Sequence, residues 1–401
     1  MKIIKDPVHG YIEVTPPALE VLDSPSLQRL RYVRQLGFSY LVYPGSNHTR
    51  FEHSLGTMYL SDIMARQLML NEEERELVMT AALIHDIGHG PFSHAVEPIM
   101  EEICGRTHHD ASWLLEDHGL LEILEKNEIS TKETRTILEG GHRLSGILHG
   151  DLDVDRMDYL LRDAHYTGVP YGTVDAHRLI RNTTISDGHI AIQEGGINAA
   201  ESLLIARTLM RPSVYFHHVS RIAEMMFSAA VREHLKSCEA PDQAAFMRLD
   251  DAGALEGLLH SDSSVVRTLA EGIYFRRLYK RALYVGRDQV NIASLAKDTP
   301  PRRSHEIASR IADAAGIGCH EVLVDFPEFP HSMSIQVKVR NRNRLIGLEE
   351  LSPLITTLNE TRKGQWRLGV YTLPEYVPIV GAVARELLHV RPLTTQHRLP
   401  V

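Results

Sequence analysis

One stretch constrains the fold of this chain more than any other: AALIHDIGHGPFSH, from Ala81 to His94. Its apolar start predicts a buried helix, and the glycines and the proline that follow predict where that helix ends. The helix therefore delivers a histidine and a carboxylate side by side, His85 and Asp86, into a glycine-rich turn. Imidazole and carboxylate together suit a divalent metal such as Mn, Fe, Co, Ni, Zn or Mg. The alternative is that His85 only satisfies a helix end.

The overall composition predicts a cytoplasmic protein with a large apolar core. Hydrophobic residues make up 43% of the 401 residues, and no apolar run approaches the roughly 18 residues of a membrane helix. The opening MKIIKDPVHG lacks the long apolar segment of a signal peptide. Three widely spaced cysteines argue against a disulfide framework and against sulfur-ligated zinc. The net charge of -9 argues against broad nucleic-acid binding but leaves room for a local basic pocket.

The apolar periodicity predicts a mainly helical chain up to about residue 275, with strands only at 2–14 and near 186–197. The predicted helices cover about 19–36 (broken at Ser24-Pro25), 50–70, 73–87, 110–126, 131–138, 145–148, 151–166 and 199–236. Beyond that point, strands at 281–286, 321–326, 334–339 and 366–372 alternate with helices at 304–315, 348–358 and 377–389. That order is typical of a ferredoxin-like α+β sandwich. We therefore expect a helical domain over 1–275 and an α+β domain over 276–401.

Two more segments supply candidate metal ligands. His53 lies in HTRFEHSLG, at the start of a predicted helix, and DLDVDRMDYLLRD offers Asp153, Asp155 and Asp158 on another. Acidic residues at the start of a helix also complement its dipole, which is a structural explanation for part of that cluster. Spacing alone does not select one aspartate among the three.

The three segments HTRFEHSLG, HDIGHGPFSH and DVDRMDYLLRD, taken in that order, resemble the HD-domain metal-dependent phosphohydrolases. Within them the resemblance is to the deoxynucleoside triphosphate triphosphohydrolases, from about Lys2 to Lys280. It implies an HD-domain helical fold and a divalent metal. Two imidazoles and two carboxylates would leave coordination positions for water and phosphate oxygens. The implied metal ligands are His53, His85, Asp86 and Asp155, so the resemblance selects Asp155.

The same resemblance implies residues that move protons and hold the reacting phosphate. His89 and His108 are the implied acid–base pair, with Glu97 orienting one of them. His109 stands where the family usually carries Glu, so the register of His108 and His109 stays open. Arg50, three residues before His53, is implied at the α-phosphate. For His94, a satisfied core side chain is the alternative.

Arg207 and Arg211 are candidate ligands of the remaining phosphates. They lie four residues apart on a predicted helix, so they would share a face, and arginine forks suit phosphate oxygens. The alternative is a solvated basic face, although the neighbouring residues are largely apolar. By resemblance, four more residues contact the deoxyribose, of which Tyr159 and Leu36 would otherwise pass as core residues: Gln35, Leu36, Tyr159 and Asp163.

A second nucleotide site is also implied by the resemblance. Asp23, Gln28 and Arg31 fall where regulated family members read guanine, and Arg276 and Lys280 fall where they hold the activator's phosphates. Lys5 stands where Asn would be expected, which leaves the regulator open. The alternative is that Gln28 and Arg31 line a helix surface. Such a site lies between subunits in the family, so it implies a homo-oligomer, a dimer or a tetramer.

Together these features predict a metal-dependent hydrolase that cleaves a deoxynucleoside triphosphate into deoxynucleoside and inorganic triphosphate, with a guanine nucleotide as its activator. One alternative is another HD reaction, on nucleoside monophosphates or cyclic nucleotides. A second is a nucleotide-sensing or single-strand nucleic-acid-binding protein, which the acidic net charge disfavours. No membrane partner is expected.

Overall fold

The computed structural model describes residues 2–105, 107, 110–111, 119–186, 188–290, 300–329, 337–341 and 344–391. The chain divides into two compact units. The first contains Met1–Ser220, Ser237–Gly257 and Met333–Leu358; the second contains Arg221–Lys236, Leu258–Ser332 and Asn359–Val401. Each unit thus combines separate stretches of chain, whereas the predicted domains, 1–275 and 276–401, are continuous. That functional division stays a prediction.

Helices predominate among the described residues. Numbered in chain order they are α1 (Pro16–Leu22), α2 (Pro25–Arg29), α3 (Arg50–Gln67), α4 (Glu72–Ile84), α5 (Glu97–Cys104), α6 (Leu120–Lys126), α7 (Thr131–Leu138), α8 (Val154–Thr167), α9 (Ala176–Arg181), α10 (Ile197–Met210), α11 (His218–Leu235), α12 (Ala240–Phe246), α13 (Asp251–Leu259), α14 (Ser264–Tyr274), α15 (Pro300–Ala315), α16 (Leu348–Leu351), α17 (Leu354–Gln365) and α18 (Val377–Leu387). A π-helical turn, Arg211–Tyr215, follows α10. Short 3-10 turns lie at Leu30–Tyr32, Gly37–Leu41, Ser93–Ala95, Ser145–Ile147, Glu194–Gly196, Cys319–Glu321 and Pro374–Tyr376.

The described strands form three sheets. Strands β1 (Lys2–Asp6) and β2 (Gly10–Val14) make an antiparallel hairpin. In the first unit, β3 (Thr183–Ser186), β4 (His189–Gln193), β7 (Lys338–Asn341) and β8 (Arg344–Gly347) lie in that order, and only the β4–β7 pair is parallel. In the second unit, β9 (Arg367–Thr372) lies between β5 (Lys280–Gly286) and β6 (Val322–Asp325) and is antiparallel to both. Helices α15 and α18 pack against the sheet of the second unit, which contains β5, β9 and β6.

Helix α4 explains why chemistry-bearing side chains lie inside the first unit. Asn71 caps it by accepting from the Glu74 amide at 2.8 Å, while the Glu74 carboxylate accepts from the Asn71 amide at 3.2 Å. From Leu77 to Ile84 every residue is buried, because all of them except Thr80 are apolar and they cover the whole circumference of the helix. The helix packs against α1, α3 and α7. Its carboxyl end therefore opens into the protein interior, and His85 and Asp86 are buried there.

A mainly helical fold with a small N-terminal hairpin was predicted, and it is confirmed. The ferredoxin-like sandwich is not confirmed. The predicted strand at 334–339 is described only from residue 337, and the strand found there pairs with β4 and β8 of the first unit. An alternating pattern specifies a strand but not the sheet that it joins. Of the helix predicted at 110–126, residues 112–118 lie outside the described part. No helix among the described residues is long and apolar enough to cross a membrane.

Candidate metal centre

The four predicted metal ligands come together in the first unit. Helix α3 carries His53, the end of α4 carries His85 and Asp86, and the first turn of α8 carries Asp155. His53, His85 and Asp86 each offer a ligand atom within 4.8 Å of the others. Asp155 Oδ1 lies 3.0 Å from His53 Nε2 and 3.7 Å from His85 Nε2. A His-His-Asp group that can hold a metal ion is therefore present, with a second carboxylate beside it.

The orientation of His85 fits a metal ligand. Its Nδ1 lies 2.8 Å from the Ala82 carbonyl, which only accepts, so Nδ1 carries the hydrogen. Its Nε2 is buried and has no hydrogen-bond partner among the described residues. That lone pair faces Asp86 Oδ1 at 3.4 Å and Asp155 Oδ1 at 3.7 Å. A buried acceptor without a donor costs free energy unless a ligand fills the place, and a divalent cation fits between these groups.

His53 is oriented in the same way by a carboxylate behind it. Its Nδ1 donates to Asp158 Oδ2 at 2.8 Å, which directs Nε2 toward Asp155 and Asp86. Burial alone would lower the pKa of His53, but its hydrogen bonds to Asp155 and Asp158 raise it to about 10. The surrounding carboxylates thus stabilise a positive charge beside His53. A divalent metal supplies that charge without a proton on His53.

The three aspartates of DLDVDRMDYLLRD have different surroundings. Asp153 is the N-cap of α8: it accepts from the Arg156 amide at 2.8 Å and the Gly150 amide at 2.9 Å. Asp158 is fully buried behind His53. Asp155 alone of the three has its carboxylate within 4 Å of both imidazoles. Burial raises the pKa of Asp153 to about 7, whereas for Asp155 the two imidazoles outweigh burial and lower the pKa.

A buried polar layer supports His53 from behind, and sequence reasoning missed it. Arg162 donates to both Asp158 oxygens, each at 2.9 Å, and to Asp6 Oδ2 at 2.8 Å. His9, in the hairpin turn, donates from Nε2 to Asp158 Oδ1 at 2.6 Å. The signal in the sequence was DPVHG, which reads as an ordinary turn. Gly56 is required beside this layer, because a Cβ there would overlap the Asp158 carboxylate.

Arg50 lies beside the ligand group. Its Nη1 donates to Asp86 Oδ2 at 2.6 Å and its Nε donates to Ser93 Oγ at 2.7 Å, both within the interior. Burial would raise the pKa of Asp86, but Arg50 and the neighbouring histidines hold it well below its ordinary range. His89 Nε2 lies 3.2 Å from Asp86 Oδ1, so the predicted proton carrier also borders this carboxylate.

Glu97, predicted to orient one of the two acid–base histidines, contacts His94 among the described residues. Glu97 Oε2 lies 3.1 Å from His94 Nδ1, and the His94 ring lies 5.8 Å from that of His89. The His94 side chain is 67% exposed, so the alternative of a satisfied core side chain is wrong for it. His108, predicted as the second histidine of the pair, and His109 lie outside the described residues.

The residues predicted at the sugar occupy two depths. The Tyr159 ring lies 6.4 Å from that of His53 and 6.1 Å from that of Tyr215, and burial raises its pKa to about 12 although Arg207 opposes the shift. Asp163 lies deeper. Its oxygens accept from Tyr215 Oη and from His48 Nε2, both at 2.8 Å. Tyr159 therefore faces the ligand group, whereas Asp163 supports Tyr215.

Gln35 and Leu36 lie in the segment that runs beside the start of α3. The backbone amide of Gln35 donates to the backbone carbonyl of His48 at 3.0 Å. Its side-chain oxygen, Oε1, is buried and has no hydrogen-bond partner among the described residues. Leu36 precedes the 3-10 turn Gly37–Leu41. An unpaired buried acceptor at this position is the kind of group that a ligand hydroxyl satisfies.

Arg207 and Arg211 do not share one regular helix. Arg207 lies in the last turn of α10, which ends at Met210, and Arg211 begins the π-helical turn. The Arg211 guanidinium stacks on the Phe216 ring, 4.0 Å from its centroid. The four-residue α-helical spacing assumed for this pair is therefore interrupted, and π-helical turns are frequent at functional sites.

The five residues of the predicted regulatory site are divided between the two units. In the first unit, Gln28 donates to the Leu22 carbonyl and accepts from Arg31 Nε, both at 2.8 Å, and Arg31 lies over the Phe51 ring. These contacts agree with the alternative that Gln28 and Arg31 line a helix surface. Asp23 is exposed at the end of α1. Arg276 and Lys280 belong to the second unit. The regulatory site stays a prediction.

Two family sequence models together match most of the chain. The sequence model of the HD domain matches residues 50–163, which include all four predicted metal ligands. The model of the HD associated region matches residues 174–399, which are more than half of the chain. Metal binding is a property of HD domains, and the ligand group found here agrees with it.

Individual relatives agree with these matches. An uncharacterized protein of Methanocaldococcus jannaschii is 34% identical over 94% of this chain and 80% of its own length. The deoxynucleoside triphosphate triphosphohydrolase SAMHD1 of Bos taurus is 29% identical, and the match covers 77% of this chain but only 62% of the bovine protein. A phosphohydrolase of Bacteroides thetaiotaomicron has a crystal structure that superposes with a TM-score of 0.73 at 27% identity, covering 92% of this chain and 99% of that one. The chain therefore belongs to the HD-domain enzyme family, with an HD domain followed along the sequence by an HD-associated region.

Proposed function

We propose that this protein hydrolyses deoxynucleoside triphosphates at the α-phosphate, releasing deoxynucleoside and inorganic triphosphate. The observation that carries the proposal is the convergence of His53, His85, Asp86 and Asp155 beside Arg50. The substrate class is supported by the relatives named as deoxynucleoside triphosphate triphosphohydrolases. Those relatives are longer than this chain, so the substrate is carried over as a proposal.

In this proposal a divalent metal is held by His53, His85, Asp86 and Asp155. Two observations support that assignment: Nε2 of His85 has no hydrogen-bond partner among the described residues, and the carboxylates around His53 raise its pKa. Such an ion supplies a positive charge that polarises a phosphoryl oxygen and acidifies water. Mn, Mg, Fe, Ni, Co and Zn all accept imidazole or carboxylate ligands, so the identity of the ion stays open.

We assign the phosphates to three arginines. Arg50 holds the α-phosphate, because its guanidinium is fixed by Asp86 and Ser93 beside the ligand group. Arg207 and Arg211 hold the outer phosphates from the end of α10 and the π-helical turn. Fixed guanidinium groups stabilise charge that develops during phosphoryl transfer without having to reorganise.

We assign proton transfer to His89 and His108. His89 borders Asp86 at 3.2 Å, and an imidazole changes its charge near neutral pH, as protonation of the departing 5′-oxygen requires. Glu97 would orient the exposed His94, whose ring lies edge to face with that of His89. Glu97 and His94 would thus form a second ionisable pair beside His89.

We assign the deoxyribose to Gln35, Leu36 and Tyr159. The buried, unpaired Oε1 of Gln35 would accept from a sugar hydroxyl, and Leu36 beside it would exclude a 2′-hydroxyl. Tyr159 would close the site on the side of His53. Asp163 accepts from the Tyr215 hydroxyl, so it would act on the sugar by orienting Tyr215.

Regulation by a guanine nucleotide completes the proposal. The activator would use Asp23, Gln28 and Arg31 together with Arg276 and Lys280, across a dimer or tetramer. The support for this part is the family resemblance of these five positions in the sequence. It predicts that hydrolysis of other deoxynucleotides requires dGTP or GTP.

A product assay tests the reaction directly. The protein is supplied with each deoxynucleoside triphosphate and Mn or Mg, singly and in pairs, and the products are separated by ion exchange. Deoxynucleoside plus inorganic triphosphate is the expected result. Monophosphate, diphosphate or no product contradicts the proposal and directs the next assay to nucleoside monophosphates, cyclic nucleotides and single strands.

A further inference from the structure

The loop that follows the metal-ligand helix contains a backbone conformation that its own sequence does not favour. Phe92 and Ser93, in GHGPFSH, adopt φ values of 51° and 48°. Side chains other than glycine rarely occupy this left-handed region, so surrounding contacts must hold two such residues in succession. Phe92 stacks on Phe38 with ring centroids 4.1 Å apart, which fixes the ring but not the backbone.

The backbone of this turn is held by a residue far away in the sequence. Asp251 Oδ1 accepts from the Phe92 amide at 2.7 Å. Its other oxygen, Oδ2, accepts from the Arg34 amide at 3.0 Å and lies 3.5 Å from Arg34 Nη1. The Asp251 side chain is almost fully buried, at 2% exposure. One carboxylate therefore joins the turn to the segment that carries Gln35.

The turn in its left-handed form presents Ser93 to the site. Ser93 Oγ accepts from Arg50 Nε at 2.7 Å and lies 3.5 Å from the Arg34 carbonyl. Arg50 then reaches Asp86 with its Nη1. The backbone of Arg50 is fixed from the same side, since its amide donates to the Val33 carbonyl at 2.9 Å. Asp251 thus reaches Arg50 through Ser93 and through the Arg34 segment.

We propose that Asp251 is a positioning residue: its carboxylate fixes the Phe92–Ser93 turn on the Arg34 segment, and the turn aims Arg50 at the substrate phosphate. The inference rests on the proposed function, because it concerns the arginine assigned there to the α-phosphate. In the hydrogen bonds described, Asp251 touches none of the four predicted metal ligands and reaches Asp86 only through Ser93 and Arg50. We therefore expect its loss to change the placement of Arg50 while all four ligand side chains remain in the site.

The test compares Asp251→Ala and Asp251→Asn with Asp250→Asn in the full-length, metal-loaded protein. Asp250 is the matched control, since its carboxylate accepts from the Gly253 amide within its own helix start and contacts neither loop in the hydrogen bonds described. We expect Asp251→Ala to lower kcat by up to about a hundredfold, as misplacement of a reacting group by about an ångström does. Metal content and metal affinity should stay at the wild-type level. Asp251→Asn, which keeps one acceptor oxygen, should lose less, and Asp250→Asn should keep kcat.

Two readouts separate positioning from general loss of structure. In hydrogen exchange, the peptide containing Phe92 should exchange faster in Asp251→Ala, while a peptide from Ala81–Ile84 stays protected. In a double-mutant cycle, Asp251→Ala combined with Ser93→Ala should be no worse than the poorer single variant, because both act through Arg50. Unchanged kcat in Asp251→Ala, additive losses, or metal lost in proportion to activity would each overturn the inference. Absence of deoxynucleotide hydrolysis by the wild-type protein overturns the proposed function instead.

Discussion

Each compact unit pairs an arginine with a buried carboxylate, but the two networks end differently. In the first unit, Arg162 binds Asp158, which in turn accepts from the ligand His53. In the second, Arg221 donates to both oxygens of Asp325, at 3.0 and 2.6 Å, and Tyr371 Oη donates to the same carboxylate at 3.4 Å. The first network ends at an imidazole whose other nitrogen faces more carboxylates. The second ends at a phenol inside its own core.

The difference teaches that a buried ion pair does not by itself mark a functional site. The paired carboxylates are buried in both networks, and the Arg162 side chain is buried while that of Arg221 is 19% exposed. Both arginines have raised pKa values, since neighbouring carboxylates outweigh the effect of burial. What distinguishes the first network is that it leads through His53 to a group that can hold a metal ion, in which His85 Nε2 has no hydrogen-bond partner among the described residues. Substitutions in both networks should therefore cost stability, but only those in the first should change metal binding.

The largest expected effect comes from the ligand group. His85→Ala or Asp86→Ala should abolish metal binding and activity together, because each removes a ligand that no described neighbour replaces. The fold should persist, as followed by circular dichroism, and metal content should be measured by elemental analysis. Retained activity in either variant would remove the metal-site assignment.

The comparison is sharpened by breaking both networks in the same way. Asp158→Asn should lower the free energy of unfolding by about 3–5 kcal/mol, as loss of one partner of a buried pair does. Asp325→Asn should also lower it, but by less, because the Arg221 side chain is 19% exposed. Only Asp158→Asn should also weaken metal affinity, by about 10–100-fold, because it supports a ligand histidine. Denaturant unfolding and metal titration measure the two quantities. Equal metal affinity in the two variants would show that the layer behind His53 is purely structural.

The stability of the metal-free protein should depend on pH more strongly than that of the metal-loaded protein. Without metal, the pKa of His53 is about 10 in the folded state and near 6.5 when unfolded, so its protonation stabilises the fold fully below pH 6.5. That stability is lost as pH rises toward 10, by roughly 2–3 kcal/mol between pH 7 and 9. With metal on Nε2 this contribution should vanish. Parallel stability curves for the two forms would contradict the assignment of His53.

The smallest expected effect comes from adding one methyl group beside each network. A Cβ at Gly56 would overlap the Asp158 carboxylate, and one at Gly369 would overlap the Tyr371 hydroxyl. Gly56→Ala and Gly369→Ala should each cost about 1–3 kcal/mol of stability through overpacking. Metal affinity should fall in Gly56→Ala alone. A fall in both variants would indicate that general loosening, and not the Asp158 contact, controls the site.

Local patterns predicted the parts of the fold that depend on local periodicity. The N-terminal hairpin, α3 and α4 were all indicated by residue spacing and by turn or helix-ending residues, and so was the burial of His85 and Asp86. Spacing did not select Asp155 over Asp153 and Asp158. That choice needed the family resemblance, because the capping role of Asp153 becomes visible only when α8 is known to begin at Val154.

Contacts between distant residues could not be predicted in the same way. His9 and Asp158 are 149 residues apart, and Phe92 and Asp251 are 159 apart. Neither pair leaves a periodic trace, because a polar contact between two distant residues does not repeat along the sequence. The sheet joined by Lys338–Asn341 was missed for the same reason, since a strand pattern carries no record of its neighbour.

The support of His53 has a consequence for synthesis of the chain on the ribosome. His53 emerges about a hundred residues before Asp155 and Asp158, an interval of roughly 5–20 s at about 5–20 residues per second. Throughout that interval the hairpin and α3 exist without the carboxylates that hold His9 and His53. The nascent chain therefore exposes imidazoles but no finished coordination site, and it must carry residues through Arg162 beyond the exit tunnel before selective metal capture can begin.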